Sequence, residues 1–140
     1  MADAPTQKVD YEVPSALAEI SFGTGKLFEI LAPLNLDDSN RFDIRLCFEE
    51  LLINAMKHGN GLVCEVMVRI TVAYNDKEVY ICVTDDGPGF NPEHVKDPTV
   101  EANLNAVSGR GVFLVRHLMN EVRYGTFGSS AEILKNIHTK

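Results

Sequence analysis

Three short segments of the chain contain residue types whose spacing suits nucleotide chemistry. In residues 50–55, a glutamate and an asparagine stand four positions apart, which places a carboxylate and a carboxamide on one face of a helix. Residues 85–90 end a strand in a carboxylate and then turn through two glycines. Residues 108–112 contain a Gly-x-Gly at the start of a further helix, where free backbone N–H groups and the helix dipole favour a phosphate. Each segment is a weak indication alone, but their order and spacing predict one nucleotide pocket.

Glu50 and Asn54 are the candidates for proton transfer and metal binding. Asparagine is a poor helix former in the middle of a half-buried helix, which favours a functional role for Asn54. Its carbonyl oxygen suits Mg²⁺, a hard cation that binds oxygen and keeps several waters. Glu50 could then accept a proton from a hydroxyl or a water, whereas the adjacent Glu49 points about 100° around the helix. The alternative is a solvated Glu50 with Asn54 bonded to backbone, and His58 is expected to have a supporting role at most.

Asp85 and Asp86 are distinguished by the alternation of the strand that precedes them. The apolar residues at positions 79, 81 and 83 share one strand face with Asp85, so Asp85 faces the interior and Asp86 faces away. A carboxylate at the edge of a core needs a donor, and the N6 amino group of adenine would serve. The alternative for Asp85 is a purely local, turn-forming aspartate.

The glycines of the second and third segments are the candidates for close contact with a nucleotide. Gly87 and Gly89 allow a close approach of the backbone to a ligand. Gly109 and Gly111 stand at a predicted helix start after a long loop, which favours phosphate binding over a role as ordinary loop glycines. Arg110 between them could reach a phosphate, and a solvated surface arginine is an equally good interpretation.

The composition limits the classes of function. The chain has 140 residues, of which 45% are hydrophobic and 24% charged, and this predicts a single globular domain over residues 1–140 with a loose N-terminus at residues 1–7. The net charge of -7 and the pI of about 5.0 argue against non-specific binding to nucleic acid or to an anionic membrane. Bound phosphates would therefore need a metal ion or local backbone donors.

The cysteines and the hydropathy indicate the compartment. The chain has three cysteines, an odd number, and each lies in an apolar stretch: Cys47, Cys64 and Cys82. This pattern predicts buried free thiols in a reducing compartment. The N-terminus is polar and no segment approaches the length of a transmembrane helix. We therefore expect a cytoplasmic protein without a membrane partner.

Hydrophobic periodicity predicts helices packed on one side of a mostly antiparallel sheet. Two adjacent strands have one strongly apolar face and one mixed face, which is typical of such a sheet. A helix capped by Ser15 is expected over residues 16–32, and a clearer helix follows a cap within residues 37–40. The remaining elements are expected as strands over residues 8–13, 66–73, 79–84, 121–127 and 131–137, and a helix over residues 111–120.

From about Val13 to Ile137, the chain resembles the GHKL ATPase superfamily, which includes gyrase, heat-shock chaperone, histidine kinase and mismatch-repair ATPases. Within the superfamily it is most similar to the bacterial anti-sigma factor serine kinases. The resemblance is carried by residues 49–59, 85–90 and 108–116, which match the N box and the two glycine boxes in their usual order. It implies a Bergerat fold: an α+β, two-layer sandwich with a mixed, mostly antiparallel sheet and helices on one face.

The resemblance also implies roles for the matching residues. Asn54 corresponds to the Mg²⁺-binding asparagine, Glu50 to the catalytic base and Asp85 to the adenine-binding aspartate. The glycines at 87 and 89 correspond to the adenine end of the pocket and residues 109–111 to its phosphate end. Residues 91–108 correspond to the ATP lid.

The function implied by the resemblance is an ATP- and Mg²⁺-dependent serine/threonine protein kinase that acts as an anti-sigma factor. Its partners would be an anti-sigma factor antagonist, as the phosphorylated substrate, and a sigma factor held inactive. A homodimer is expected through the mixed sheet face that contains Met67, Arg69 and Thr71, and no nucleic acid partner is expected. The alternatives are an ATP-binding partner switch without kinase activity and a small ATPase that uses water as the nucleophile.

Overall fold

The computed structural model describes residues 6–87, 107–125 and 129–137, and these form one five-stranded sheet with three helices on one of its faces. In chain order the elements are β1 (Gln7–Pro14), α1 (Ile20–Leu31), α2 (Asp38–Asn54), β2 (Met67–Tyr74), β3 (Glu78–Thr84), α3 (Val107–Leu118), β4 (Glu121–Tyr124) and β5 (Ser130–Asn136). The strand order is β1-β2-β3-β5-β4, and each of these neighbouring pairs is antiparallel. The α+β two-layer fold expected from the sequence is therefore confirmed.

Strand alternation places one apolar face of the sheet under the helices. Val68 and Val72 of β2 are fully buried, and so is Ile81 of β3, whereas Arg69 on the other face of β2 is exposed. Ile133 of β5 lies opposite Ile81 in register and continues the buried row across the sheet. The core therefore lies between this face and the apolar stripe of α2. Each large apolar side chain that is fully buried there stabilises the fold by about 1.5–3 kcal/mol.

The second helix forms as predicted and is followed by an unpredicted wide turn. The Asp37 carboxylate accepts a hydrogen bond of 2.7 Å from the Asn40 backbone N–H, which is an N-cap. After Asn54 the chain continues in a π-helical turn, Ala55–Gly59, which we call the wide turn. Such turns insert one residue into a helix and are frequent at functional sites.

Two details of the predicted helices are wrong. Ser15 does not cap α1, because its hydroxyl donates to the Val66 carbonyl oxygen and accepts from the Asn60 amide; a 3₁₀ turn precedes α1 instead. Helix α3 begins at Val107 rather than Gly111, so the Gly-x-Gly lies within its first turns. At Ser15, tertiary hydrogen bonds outweigh the local preference of the residue for a cap.

The three cysteine thiols differ in their exposure to solvent. Cys47 is buried and Cys82 half-buried, but Cys64 is exposed, so the expectation of three buried thiols is wrong for Cys64. Within the ranges described above, no helix has the length and the apolar character needed to cross a bilayer.

Candidate functional site

Helix α2 positions Glu50 and Asn54 on the flank of its buried stripe. The stripe anchors the helix on the sheet through Ile44, Cys47, Phe48, Leu51 and Leu52. Glu50 and Asn54 lie one turn apart beside it and are both half-buried. Partial burial raises the pKa of the Glu50 carboxyl above its ordinary value, because desolvation disfavours the ionised form. A carboxylate in this state is a stronger base than one in water.

The carbonyl oxygen of Asn54 is buried without a donor among the residues that the structure describes. A buried polar atom is usually paired, and an unpaired one calls for an explanation such as an ion. An amide oxygen facing a pocket fits Mg²⁺, which is often held by few protein ligands together with waters and substrate phosphates. No cluster of three or more carboxylate, histidine or cysteine ligands occurs within residues 6–87, 107–125 and 129–137.

Helix α3 approaches α2 at this same point. A β-carbon on Gly111 would overlap the Glu50 carboxylate and would lie 3.5 Å from Nδ2 of Asn54. The first turn of α3, which includes Gly109, has backbone N–H groups without partners inside the helix. The structure thus brings a carboxylate, an orphaned amide oxygen and a helix N-terminus together, an arrangement suited to a phosphate with its counter-ion and a proton acceptor.

Asp85 lies at the end of β3 and is 8% exposed, whereas Asp86 faces solvent and pairs with Arg69 at 2.9 Å. The alternation argument for these two residues is therefore correct as to their orientation. The Asp85 Oδ1 accepts a hydrogen bond of 2.8 Å from the Gly87 backbone N–H. Burial raises the pKa of the Asp85 carboxyl, and the Gly87 hydrogen bond partly offsets that rise. Asp85 therefore combines the local turn with a position facing the interior.

Two glycines bring the wide turn and the end of β3 into direct backbone contact. A β-carbon on Gly59 would overlap the Asp85 carboxyl group, and a β-carbon on Gly87 would overlap the Gly59 carbonyl. Any side chain at either position would therefore displace Asp85 or the turn that contacts it. The contact between Gly59 and Asp85 was not predicted from the sequence.

A pocket lies between α2, the wide turn and the sheet. Asn54, His58 and Asp85 contribute polar groups to its lining. The apolar part of the lining comes from Leu51, Ala55, Val83 and Ala131, with Tyr124 and Ser130 at the side of β4 and β5. A mostly apolar cleft with a few convergent polar groups is the usual form of a small-molecule site. Its apolar walls and the buried carboxylate of Asp85 suit an apolar ring that carries a donor.

Comparison with known families agrees with this geometry. The family model of the histidine kinase-like ATPase domain matches residues 24–134. This range includes Glu50, Asn54, Asp85 and the first turns of α3. The chain belongs to the histidine kinase-like ATPase family. Membership implies that the nucleotide used by this domain is ATP.

Several proteins are similar to this histidine kinase-like ATPase domain. The serine/threonine-protein kinase BtrW of Bordetella bronchiseptica is 27% identical over 86 residues, which is 60% of this chain and 61% of BtrW. The anti-sigma F factor of Pasteuria penetrans is 28% identical over 83% of this chain and 79% of its own length. The serine-protein kinase RsbW of Listeria monocytogenes is 26% identical over 95% of this chain and 89% of its own length.

A solved structure shares the fold. The crystal structure of the RsbU and RsbW domains of a Mycobacterium tuberculosis protein superposes with a TM-score of 0.65 at 20% identity, covering 97% of this chain and 33% of that one. The chain thus spans one third of that solved chain and 61% of BtrW.

Some predicted site residues of this ATPase domain lie outside the described structure. Gly89 and most of the lid at residues 91–108 fall there, and of Arg110 only the backbone within α3 is described. Tyr124 and Ser130 line the pocket but were not predicted. They come from strands that follow the lid in sequence, and the strand order that brings them beside β3 has no local sequence signature. The alternation of apolar and polar residues in these segments predicts strands, but it does not predict which strand each one pairs with.

Proposed function

We propose that this histidine kinase-like ATPase domain is a Mg²⁺-dependent protein-serine/threonine kinase that acts as an anti-sigma factor. The observation that carries the proposal is the meeting of Glu50, the orphaned Asn54 oxygen and the first turns of α3 around Gly111. A base, a metal ligand and a phosphate-binding helix start are the parts that phosphoryl transfer requires. The names of the relatives, which include two kinases and an anti-sigma F factor, support the same class.

The proposed chemistry assigns each group one task. Mg²⁺, held through Asn54 Oδ1 and the ATP phosphates, would neutralise phosphate charge. The Asp85 carboxylate accepts a hydrogen bond from the adenine N6 amino group, and the free backbone N–H groups in the first turn of α3, which includes Gly109, bind the phosphates. A partner's hydroxyl oxygen bonds to the γ-phosphorus, the bond to the β–γ bridging oxygen breaks, and ADP leaves. The hydroxyl proton goes to Glu50, whose raised pKa favours its acceptance.

The proposed protein substrate is an anti-sigma factor antagonist, and the proposed target is a sigma factor. The sheet face away from the helices is the proposed dimer surface, since none of the described helices covers it. On this face Arg69 pairs with Asp86, and the Thr71 hydroxyl donates to the Asp10 carboxylate at 2.6 Å. Because Thr71→Arg places a large charged side chain on this face, it should convert a dimer to a monomer. Light scattering measures the mass, and an unchanged dimer mass would exclude this face.

The test is incubation with γ-labelled ATP, with and without a candidate antagonist protein. Label on a serine or threonine of the antagonist supports the kinase. Labelled inorganic phosphate that forms equally without the antagonist indicates an ATPase instead. ATP binding without either product indicates a partner switch. Glu49→Gln is the matched control for Glu50→Gln, because Glu49 bonds to Thr24 at 2.7 Å, away from the pocket.

A further inference from the structure

Asn60 connects three parts of the chain behind the pocket. It is the residue after the wide turn and is 8% exposed. Its side-chain Nδ2 donates to the Ser15 hydroxyl at 2.9 Å and to the Met67 carbonyl oxygen at 3.3 Å. Its Oδ1 accepts a hydrogen bond of 2.8 Å from the Asp86 backbone N–H. One buried amide thus joins the end of β1, the start of β2 and the end of β3.

These partners require a carboxamide at position 60. A donor is needed toward Ser15 and Met67, and an acceptor is needed toward the backbone N–H of Asp86. An aspartate would supply acceptors only, and an aliphatic side chain would supply neither. A buried network whose members are all satisfied holds its geometry closely, because each broken hydrogen bond leaves an unpaired polar group.

The network acts on the two walls that hold Asp85. Its bond to the Asp86 N–H fixes the peptide that follows Asp85. The Asn60 backbone N–H also donates to the Ala55 carbonyl oxygen at 2.8 Å, which closes the wide turn and fixes Gly59. Gly59 is the residue whose α-carbon packs on the Asp85 carboxyl group. The Asn60 side chain therefore holds the peptide after Asp85, while the backbone bond at the same residue holds the turn on the other side of the carboxylate, and Asn60 does not itself line the pocket.

We propose that Asn60 is a positioning residue that sets the base selectivity of the nucleotide site by holding Asp85 in place. The inference rests on the proposed contact between Asp85 and adenine. Adenine has an amino donor at the position where hypoxanthine has a carbonyl oxygen. A carboxylate held in place accepts a hydrogen bond from the adenine amino group and repels the hypoxanthine carbonyl oxygen. A displaced carboxylate lets water in between, and the site then no longer distinguishes the two bases. Sites built around a fixed polar contact reject analogues that lack the matching group.

The experiment compares the dissociation constants of ATP and ITP by calorimetry in the full chain. Asn60→Ala should lower the ratio of the ITP constant to the ATP constant by about tenfold or more. Ser15→Ala is the matched control, since it breaks the same network at its far end and leaves the Asp86 contact intact. It should lower the melting temperature and keep the parental ratio. If Asn60→Ala does not fold, Asn60→Ser, which leaves room for a water, should show the same fall.

The outcomes separate this inference from the proposed function. Asp85→Asn should abolish the preference for ATP over ITP. If it leaves the ratio unchanged, the adenine contact itself is wrong and the inference falls with it. If Asp85→Asn abolishes the preference while the folded Asn60 variant keeps the parental ratio, Asn60 is only structural and the inference alone is overturned.

Discussion

Gly111 of α3 packs against the Glu50 carboxylate of α2 so closely that a β-carbon at position 111 would overlap Oε2. The glycine is therefore needed for the distance between the two helices, in addition to any role in binding phosphate. Since Glu50 and Asn54 both line this contact, a shift of α3 would change the geometry at the proposed phosphate end of the site.

Gly111→Ala is expected to reduce phosphate transfer by about 10²-fold, because a misplacement of about 1 Å has an effect of that size. Radiolabel transfer and ATP affinity are the measurements. The control is Gly25→Ala in α1, where a β-carbon would meet nothing within 4 Å. That variant should keep full activity and gain about 0.5–1 kcal/mol of stability, because alanine is the better helix former. Parental activity in Gly111→Ala would contradict the close-contact interpretation.

Glu50→Gln should bind ATP nearly as the parent does and slow transfer by about 10²-fold or more. The parent's rate should fall with decreasing pH at a higher pH than an unperturbed carboxyl would give, since burial raises the Glu50 pKa. Pre-steady-state transfer across pH measures both. A large effect in Glu49→Gln, with none in Glu50→Gln, would move the base by one residue.

The same raised pKa predicts a stability effect of defined sign. The ionised Glu50 is disfavoured in the folded state, so its cost is fully present above the folded pKa and disappears as pH falls toward the unfolded value. Glu50→Gln removes that cost and should raise the melting temperature at neutral pH. The gain should shrink as pH falls and vanish near pH ~3, below both the folded and the unfolded pKa, where the carboxyl is protonated in both states. Thermal unfolding without nucleotide would show this, and a gain independent of pH would point to another cause.

Asp85→Asn should weaken ATP binding by about 10–100-fold, because one oxygen of the buried carboxylate becomes a donor facing the adenine amino group. Asp86→Asn should do far less, since Asp86 is exposed and its pair with Arg69 is half-exposed on both sides. Calorimetric titration of both variants is the measurement. Equal losses would show that the two positions are not distinguished by their strand faces.

Asn54→Ala should remove the Mg²⁺-dependent part of the ATP affinity, since the orphaned Oδ1 is the proposed ligand. Titrations with Mg²⁺ and with EDTA give that part directly for the parent and the variant. The circular dichroism spectrum should stay unchanged, because no hydrogen bond of that oxygen to the described residues is lost. An undiminished Mg²⁺ effect in Asn54→Ala would exclude Asn54 from the metal site.

Lys135 anchors the far end of α3 and gives a prediction about stability. Its ammonium group donates to the Leu118 carbonyl oxygen at 2.8 Å and pairs with Asp43 at 3.1 Å, with both side chains largely buried. Lys135→Met should lower the free energy of unfolding by about 2–4 kcal/mol, because Asp43 is left unpaired. The double variant with Asp43→Leu should recover much of the loss. Chemical denaturation measures both, and additive losses would show that the pair is not coupled.

Local patterns predicted those parts of the fold that depend on nearby residues. The apolar stripe of α2 and its Asp37 cap lie within one helix, and the alternation that separates Asp85 from Asp86 lies within one strand. Ser15 stands where a helix N-cap is expected, yet its hydroxyl donates to the carbonyl oxygen of Val66, far along the chain. A residue with two available partners cannot be assigned from its neighbours alone.

The glycines show a second limit. Gly111 was expected to begin a helix, but it lies inside α3, where the Glu50 side chain of α2 leaves no room for a β-carbon. Gly59 looks like a helix stop, but its position is set by the Asp85 carboxyl group. Both requirements come from tertiary packing, so the motif identified the glycines and only the structure gave the reason for them.

The strand order has a consequence for the assembly of the pocket during folding. Strands β2 and β3 form one local hairpin and β4 and β5 another, and the two hairpins join along the β3–β5 pair, where Thr84 lies opposite Ser130. The pocket straddles this seam, with Val83 and Asp85 on one side and Tyr124 on the other. Closing the seam requires closure of the long segment between the hairpins, which is entropically costly and slow. The binding site is thus completed by a non-local pairing of the sheet, and a nucleotide bound across the seam would stabilise that pairing.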